Sequence, residues 1–414
     1  MTRPVSQWRK PTGVFAILAV CVVLFSHLFA WPLEWPPQRR HLIDLGVYWQ
    51  GAREFWLSND LYNIDYHTDN TNLPFTYPPF GALFFTPLWG LRELFGLAIT
   101  ETLFSLLTLI ITYAIAIFLM RLCGVRDLVW NFVTFAALLI SAPIFFTLNI
   151  GQINVLLMAF TLIDVALTQP SRRQGAWRFL PLGVLTGIAA AIKLTPLVFG
   201  LYFLIMWAVS KSPRGLIGMV TGFFGATGLA FVLRPATSIQ YFTEVLLASD
   251  RIGDLHYARN VSIRAVLERF PDLGTFAQAL WLLLVVAVIG AVACATFRVL
   301  SQGQDAQHQL LAASLVSLVA LLCSPVSWYH HWVWLAPLGV ALWLNKHYML
   351  SWWCAFTLTF GSFHNFLPAK NGVEFNWPWW MHILAAHYLI YSVAVILALS
   401  VSSKKFESIP QESR

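Results

Sequence analysis

The chain has 414 residues, of which 58% are hydrophobic and only 11% charged, with a formal net charge of +7. A soluble fold carries roughly a quarter charged residues, so a water-covered globular surface is excluded. Nucleic-acid recognition is excluded as well, because no basic stretch interleaved with aromatic residues stands on a soluble module.

The apolar residues fall in runs of about 15 to 23, the length that crosses a hydrocarbon core roughly 30 Å thick. The nineteen tryptophans suit the aromatic belts of bilayer interfaces. Cys21, Cys123, Cys294, Cys323 and Cys354 lie within or beside these runs without CxxC spacing. They read as small buried hydrophobes, and neither a metal nor a cofactor is expected.

In chain order, Arg3, Arg9 and Lys10 precede an apolar run at 13–31. Leu28–Phe29–Ala30 is a poor cleavage site, so an uncleaved first helix is expected. Further spans are expected at 97–119, 128–147, 153–168, 179–193, 196–209, 215–233, 276–297, 310–324, 332–345, 349–366 and 379–401. Pro78, Pro79 and Pro87 make the 78–91 run a short interfacial or re-entrant helix rather than a span. The fold class is therefore an all-α integral membrane protein: one polytopic helical domain, 1–401, of about twelve transmembrane helices, with a polar tail at 402–414.

Charge sets the orientation. With the N-terminus inside, the cytoplasmic segments hold fifteen of the 26 Lys and Arg but five of the 19 acids. That bias follows the positive-inside rule. A multi-pass membrane protein results, whose larger loops, 32–96 and 234–275, are extracytoplasmic, as are 324–331 and 367–378; the plasma membrane is its expected location. Asp164, near the inner end of its span, is expected to meet water.

The first outer loop holds the most chemistry. A helix through 44–57 puts Asp44, Val47, Tyr48 and Gly51 along one face. Asp44 reads either as a helix N-cap or as a carboxylate placed to deprotonate a hydroxyl. Gln152 and Asn154 stand where the third span turns into the fourth; their amides suit sugar hydroxyls or freed backbone equally. Lys193, before Thr195–Pro196, reads as a snorkelling cation or an anion ligand. His330 and His331 follow Pro325 at an outer corner, and adjacent histidines diverge on a helix, so they suit a phosphate or sugar contact or an interfacial structural role better than metal.

The Asp44 segment with Tyr48 and Leu61–Tyr62, and then Tyr77–Pro78–Pro79, resembles the polyprenol-phosphate-mannose-dependent α-(1,2)-mannosyltransferases. These are glycosyltransferase family 87 of the GT-C superfamily. Asn149–Ile150–Gly151–Gln152–Ile153–Asn154, Lys193–Leu194–Thr195–Pro196, Arg259–Asn260–Val261–Ser262 and Ser324–Pro325–Val326–Ser327–Trp328–Tyr329–His330–His331 extend the likeness in the same order. The resemblance implies a GT-C-like bundle and an inverting hexosyltransferase. Its donor would be polyprenyl-phosphate-mannose, and its acceptor a lipid-linked glycan of phosphatidylinositol mannoside or lipomannan type. It implies Asp44 as catalytic base, with Tyr48, Tyr77, Gln152, Asn154, Lys193, Arg259, Asn260, His330 and His331 around the substrates. A leaving polyprenyl phosphate needs cationic or hydrogen-bonding stabilisation, for which Lys193, Arg259, Arg264, His330 and His331 are candidates. Transfer of another sugar such as arabinofuranose, a lipid or sugar transporter or flippase, and a membrane scaffold are the alternatives.

Overall fold

The computed structural model describes residues 42–401 apart from 59, 69–70 and 249–252. The expected span at 13–31 and the tail at 402–414 lie outside the described residues.

Helix α1 (Ile43–Leu57) is followed by a hairpin of β1 (Asp65–Thr68) and β2 (Thr71–Pro74) and by two short helices, α2 (Pro79–Phe84) and α3 (Thr86–Phe95). The hairpin corrects the all-helical expectation for this loop. Its antiparallel register pairs Asp65 with Pro74 and Thr68 with Thr71. The strand alternates exposed and buried side chains, and buried Tyr66 hydrogen-bonds the Leu61 carbonyl at 2.9 Å. A residue pattern of period two in a short polar stretch is easily missed beside long apolar runs.

The chain then enters α4 (Leu97–Leu122). Helices α5 (Leu128–Ile140) and α6 (Ala142–Ile150) meet at a 70° bend, where Pro143 starts the second helix. They are followed by α7 (Asn154–Leu167), α8 (Val184–Ile192), α9 (Phe199–Ser210) and α10 (Arg214–Leu233). After α11 (Pro235–Thr243) and α12 (Ile263–Glu268) come α13 (Thr275–Gln302), α14 (Ala306–Cys323), α15 (Leu335–Leu344) and α16 (Tyr348–Phe360). Helices α17 (Trp379–Ala385) and α18 (His387–Val401) end the described chain at a 66° bend.

Among the described residues, four helices (α4, α10, α13 and α14) are long and apolar enough to cross a membrane, or six if each bent pair is one span. Other expected runs fold as shorter helices; nine-residue α8 rises only about 14 Å. Burial separates two roles. Only 17% of the apolar window of α13 is buried and Leu282, Leu283 and Val286 are exposed, whereas 83% of the window of α14 is buried. An apolar face of that extent facing water would drive association, so α13 is built to face lipid while α14 forms the centre of the bundle.

Between apolar helices in lipid, close backbone approach replaces the hydrophobic effect as the source of packing. Helices α8 and α10 use glycine for it. A Cβ at Gly187 would lie 2.2 Å from the Met219 carbonyl oxygen, and one at Gly218 would lie 2.0 Å from that of Leu182. The N-terminus of α8 is held by Asp164, which is fully buried and does not meet water as expected. Its carboxylate accepts from Gly183 N at 2.9 Å, Thr186 N at 2.7 Å and Thr186 Oγ1 at 2.8 Å. These are the orphan donors of a helix start, where an anion also meets the positive end of the helix dipole. Lys193 follows directly from the other end of the same helix, in extended conformation.

Gly218→Ala should destabilise the purified protein by about 1–3 kcal/mol through overpacking. Gly225→Ala, on the same helix with nothing within 4 Å, should change stability little. Thermal unfolding in detergent compares them, and equal midpoints for the two variants would refute the packing role.

Candidate active site

Three segments meet at one cleft of about 960 Å³: the first turn of α1, the corner between α6 and α7, and the break after α8. Gly151 makes that meeting possible. It closes α6 in the left-handed conformation, with φ of 73°, and a Cβ there would lie 2.8 Å from Leu45 Cβ. Only glycine supplies both that dihedral and that close approach. Its successor Gln152 is thereby carried against Asp44.

Asp44 is the second residue of α1, not its N-cap; Leu42 takes that place and no side-chain cap bond forms. The carboxylate therefore stays free for the cleft, where the Gln152 side chain hydrogen-bonds it. Gln152 Oε1 accepts from Tyr48 Oη at 3.1 Å, Tyr77 Oη at 3.2 Å and, more weakly, Lys193 Nζ at 3.5 Å. The two phenols are 2.8 Å apart, and the Tyr48 ring stacks on Phe85 at 4.2 Å. With its oxygen so engaged, the Gln152 amide has its NH2 left for Asp44.

Lys193 Nζ donates to Asn154 Oδ1 at 3.1 Å and lies 3.4 Å from His331 Nε2 and 5.2 Å from the Tyr77 ring centre. Asn154 Nδ2 donates to the His330 carbonyl at 3.0 Å, and Thr147 Oγ1 reaches the same oxygen at 3.1 Å. The corner between α6 and α7 thus holds the histidine pair in place. His330 Nε2 is buried without a partner among the described residues.

Burial pushes the Asp44 carboxyl up to about 6, against the Gln152 hydrogen bond and the Lys193 charge, which pull it down. At pH 7 it is mostly ionised and still a better base than an ordinary carboxylate. Burial, reinforced by the charge of Lys193, holds both His330 and His331 well below their usual range. Both are neutral near pH 7 and serve as hydrogen-bonding groups rather than cations.

Of the other expected site residues, Arg259 lines the cleft and reaches solvent. Asn260 does not. It is fully buried, with Nδ2 donating to the Leu255 and Pro325 carbonyls and Oδ1 accepting from the amides of Ser262 and Ser327. Its amide fastens the 255–262 segment to the 325–328 corner, leaving little hydrogen-bonding capacity for a sugar. Arg264 pairs with Glu268 at 2.5 Å and packs on Trp281, outside the cleft. Two other acids of the first loop are engaged elsewhere: Glu54 bonds Arg53 and Ser58, and Asp60 bonds Asn63. Asp254 is the second carboxylate that lines the cleft.

Sequence reasoning did not single out Lys370 and Asn371, which also line the cleft, nor the buried pair Arg269 and Glu374 beneath them. Lys370–Asn371–Gly372 carries a turn signal, because Asn and Gly tolerate the left-handed region. Among the described residues no three His, Cys, Asp or Glu side chains gather in a way that could hold a metal ion.

A sequence profile described as Glycosyltransferase family 87 matches residues 75–325, starting beyond Asp44 and ending before His330. The chain is 31% identical over 380 residues to a polyprenol-phosphate-mannose-dependent alpha-(1-2)-phosphatidylinositol mannoside mannosyltransferase of Mycobacterium tuberculosis, covering 87% of this chain and 84% of the relative. It is 32% identical over 432 residues to a protein of the same name from Mycolicibacterium smegmatis, covering 97% and 91%. A polyprenol-phosphate-mannose-dependent alpha-(1-2)-phosphatidylinositol pentamannoside mannosyltransferase of that organism is 31% identical, covering 89% and 87%. Profile and relatives span the α6–α7 corner, Lys193 and the Arg259 segment, and the chain belongs to glycosyltransferase family 87.

Proposed function

We propose that this protein transfers mannose from polyprenyl-phosphate-mannose to a phosphatidylinositol-mannoside acceptor, with inversion and an α-(1,2) linkage. The observation that carries the reading is one cleft in which the Asp44 carboxylate stands beside Lys193 and neutral His331. The relatives' names supply the donor and the acceptor class.

In the chemistry this implies, the acceptor hydroxyl oxygen attacks the anomeric carbon as its proton passes to Asp44. The bond from that carbon to the phosphate oxygen breaks on the opposite face, and the polyprenyl phosphate leaves as an anion. No proton need be given to it, so a cation and hydrogen-bond donors suffice. Lys193 and His331 have that character, with His330 behind them. Tyr48, Tyr77 and Gln152 hold the base and border the sugar. Asp44, Lys193 and the histidine pair share one cleft, and a twelve-span GT-C-like bundle with that cleft facing the extracytoplasmic side fits the charge bias of the loops.

Purified protein with labelled polyprenyl-phosphate-mannose and a phosphatidylinositol-mannoside acceptor should give a labelled, α-(1,2)-extended glycolipid. Asp44→Asn keeps the shape and removes the basicity; turnover should fall by about 10²-fold or more while the donor KM stays near normal. A folded variant that transfers at the wild-type rate would move the base elsewhere, with Asp254 next in line. Lys193→Ala should raise the donor KM more than the acceptor KM. Equal change in both would remove Lys193 from the donor phosphate.

A further inference from the structure

Arg259 and Lys370 line the cleft, reach solvent, and have no side-chain hydrogen bond or ion pair among the described residues. They come from loops more than a hundred residues apart, yet one oxygen joins their backbones. Glu374 Oε1 accepts from Ala258 N at 3.2 Å and from Lys370 N at 3.0 Å. Glu374 is fully buried, with the Arg269 guanidinium as its counter-charge. Arg269 in turn donates to the carbonyls of His256, Tyr257, Ala258 and Asn260, so the backbone on both sides of Arg259 is tied down.

The second loop is held in an unfavourable shape. Lys370, Asn371 and Gly372 have φ of 81°, 56° and 74°, three successive left-handed residues of which two bear side chains. Such strain persists where surrounding contacts over-determine it, and it gathers at ligand sites. Here the Glu374 carboxylate supplies the contact, and the result is a rim presenting a guanidinium, an ammonium and an amide to water. Asp254 lines the same cleft, so the rim's two cations outnumber its one acid.

We propose that Arg259, Lys370 and Asn371 form a second anion subsite, which takes the phosphodiester of the lipid acceptor. This rests on the mannosyl-transfer reading above. In that reading the donor phosphate meets Lys193 and His331 on the cleft floor, and the acceptor brings a phosphodiester of its own. Two lipid anions drawn into one cleft repel each other unless each is compensated separately. A fixed, solvent-facing Arg and Lys pair with a nearby amide suits a phosphodiester at the headgroup level. The inner cation, already engaged by Gln152 and Asn154, is left for the leaving group.

The test compares the Arg259→Gln, Lys370→Asn double variant with wild type on two acceptors: a phosphatidylinositol mannoside, and an uncharged alkyl mannoside lacking phosphate. Asn tolerates the left-handed conformation of Lys370, so that change removes charge without adding strain. The ratio of kcat/KM for the charged acceptor over the uncharged one should fall about tenfold or more. Arg259→Lys, which keeps the charge, should retain most of the ratio. An unchanged ratio, or a donor KM that rises in step with the acceptor KM, would overturn the subsite. Wild-type protein that extends neither acceptor would instead refute the transfer reading on which it stands.

Discussion

One amide organises the centre of this protein. Gln152 must face Asp44, its oxygen saturated by Tyr48, Tyr77 and Lys193, before the carboxylate has any fixed place in the cleft. Each partner comes from a different part of the chain, so the amide can be satisfied only when α1, the 77–79 segment, the α6–α7 corner and the end of α8 are all in position. Gly151 lets α1 and the α6–α7 corner come close enough, and Asp164 with the glycine seam of α8 and α10 sets the position of Lys193. Removing one member of such a buried charged set leaves the others unpaired, an effect typically of about 3–5 kcal/mol. The site is thus a product of the bundle's packing rather than a group of loops attached to it.

The proposed transfer asks one carboxylate to act as base beside a lysine. A salt bridge in full contact would hold Asp44 low and make it a poor proton acceptor. Here desolvation outweighs the Lys193 charge, and the carboxyl rises to about 6. Lys193 spends its hydrogen bonds on Asn154, Gln152 and His331 instead. Asp44 and Lys193 thus share the Gln152 amide, which turns its NH2 to the carboxylate and its oxygen to the cation.

Much of this was legible in the residues. Composition and run length gave an apolar helical membrane protein, and the helix at 44–57 appears as α1 with Val47, Tyr48 and Gly51 buried. A break in the Lys193–Pro196 stretch was readable from its proline, although Thr195 enters a short 3-10 helix and Lys193 is the residue that turns extended. What sequence could not supply was partnership. The resemblance placed Asn260 around the substrates, and only the fold shows its amide taken up by four backbone partners. Asp164 looked solvated because its helix-start partners lie about twenty residues on, and the Glu374–Arg269 lock joins segments with no local signal between them. The length of a span, too, depends on bends at Ser141 and Ala386 that apolar runs do not reveal.

The most direct measurement on the centre is the pH dependence of kcat/KM for mannosyl transfer by the wild-type protein. An Asp44 base must be ionised to act, so activity is present above the raised value and is lost as pH falls through it. A one-proton rising limb with its midpoint near 6 is the expected result. Transfer that stays level down to about pH 4.5, in protein that remains folded there, would mean an ordinary carboxylate or none, and would contradict the assignment of Asp44 as the buried base.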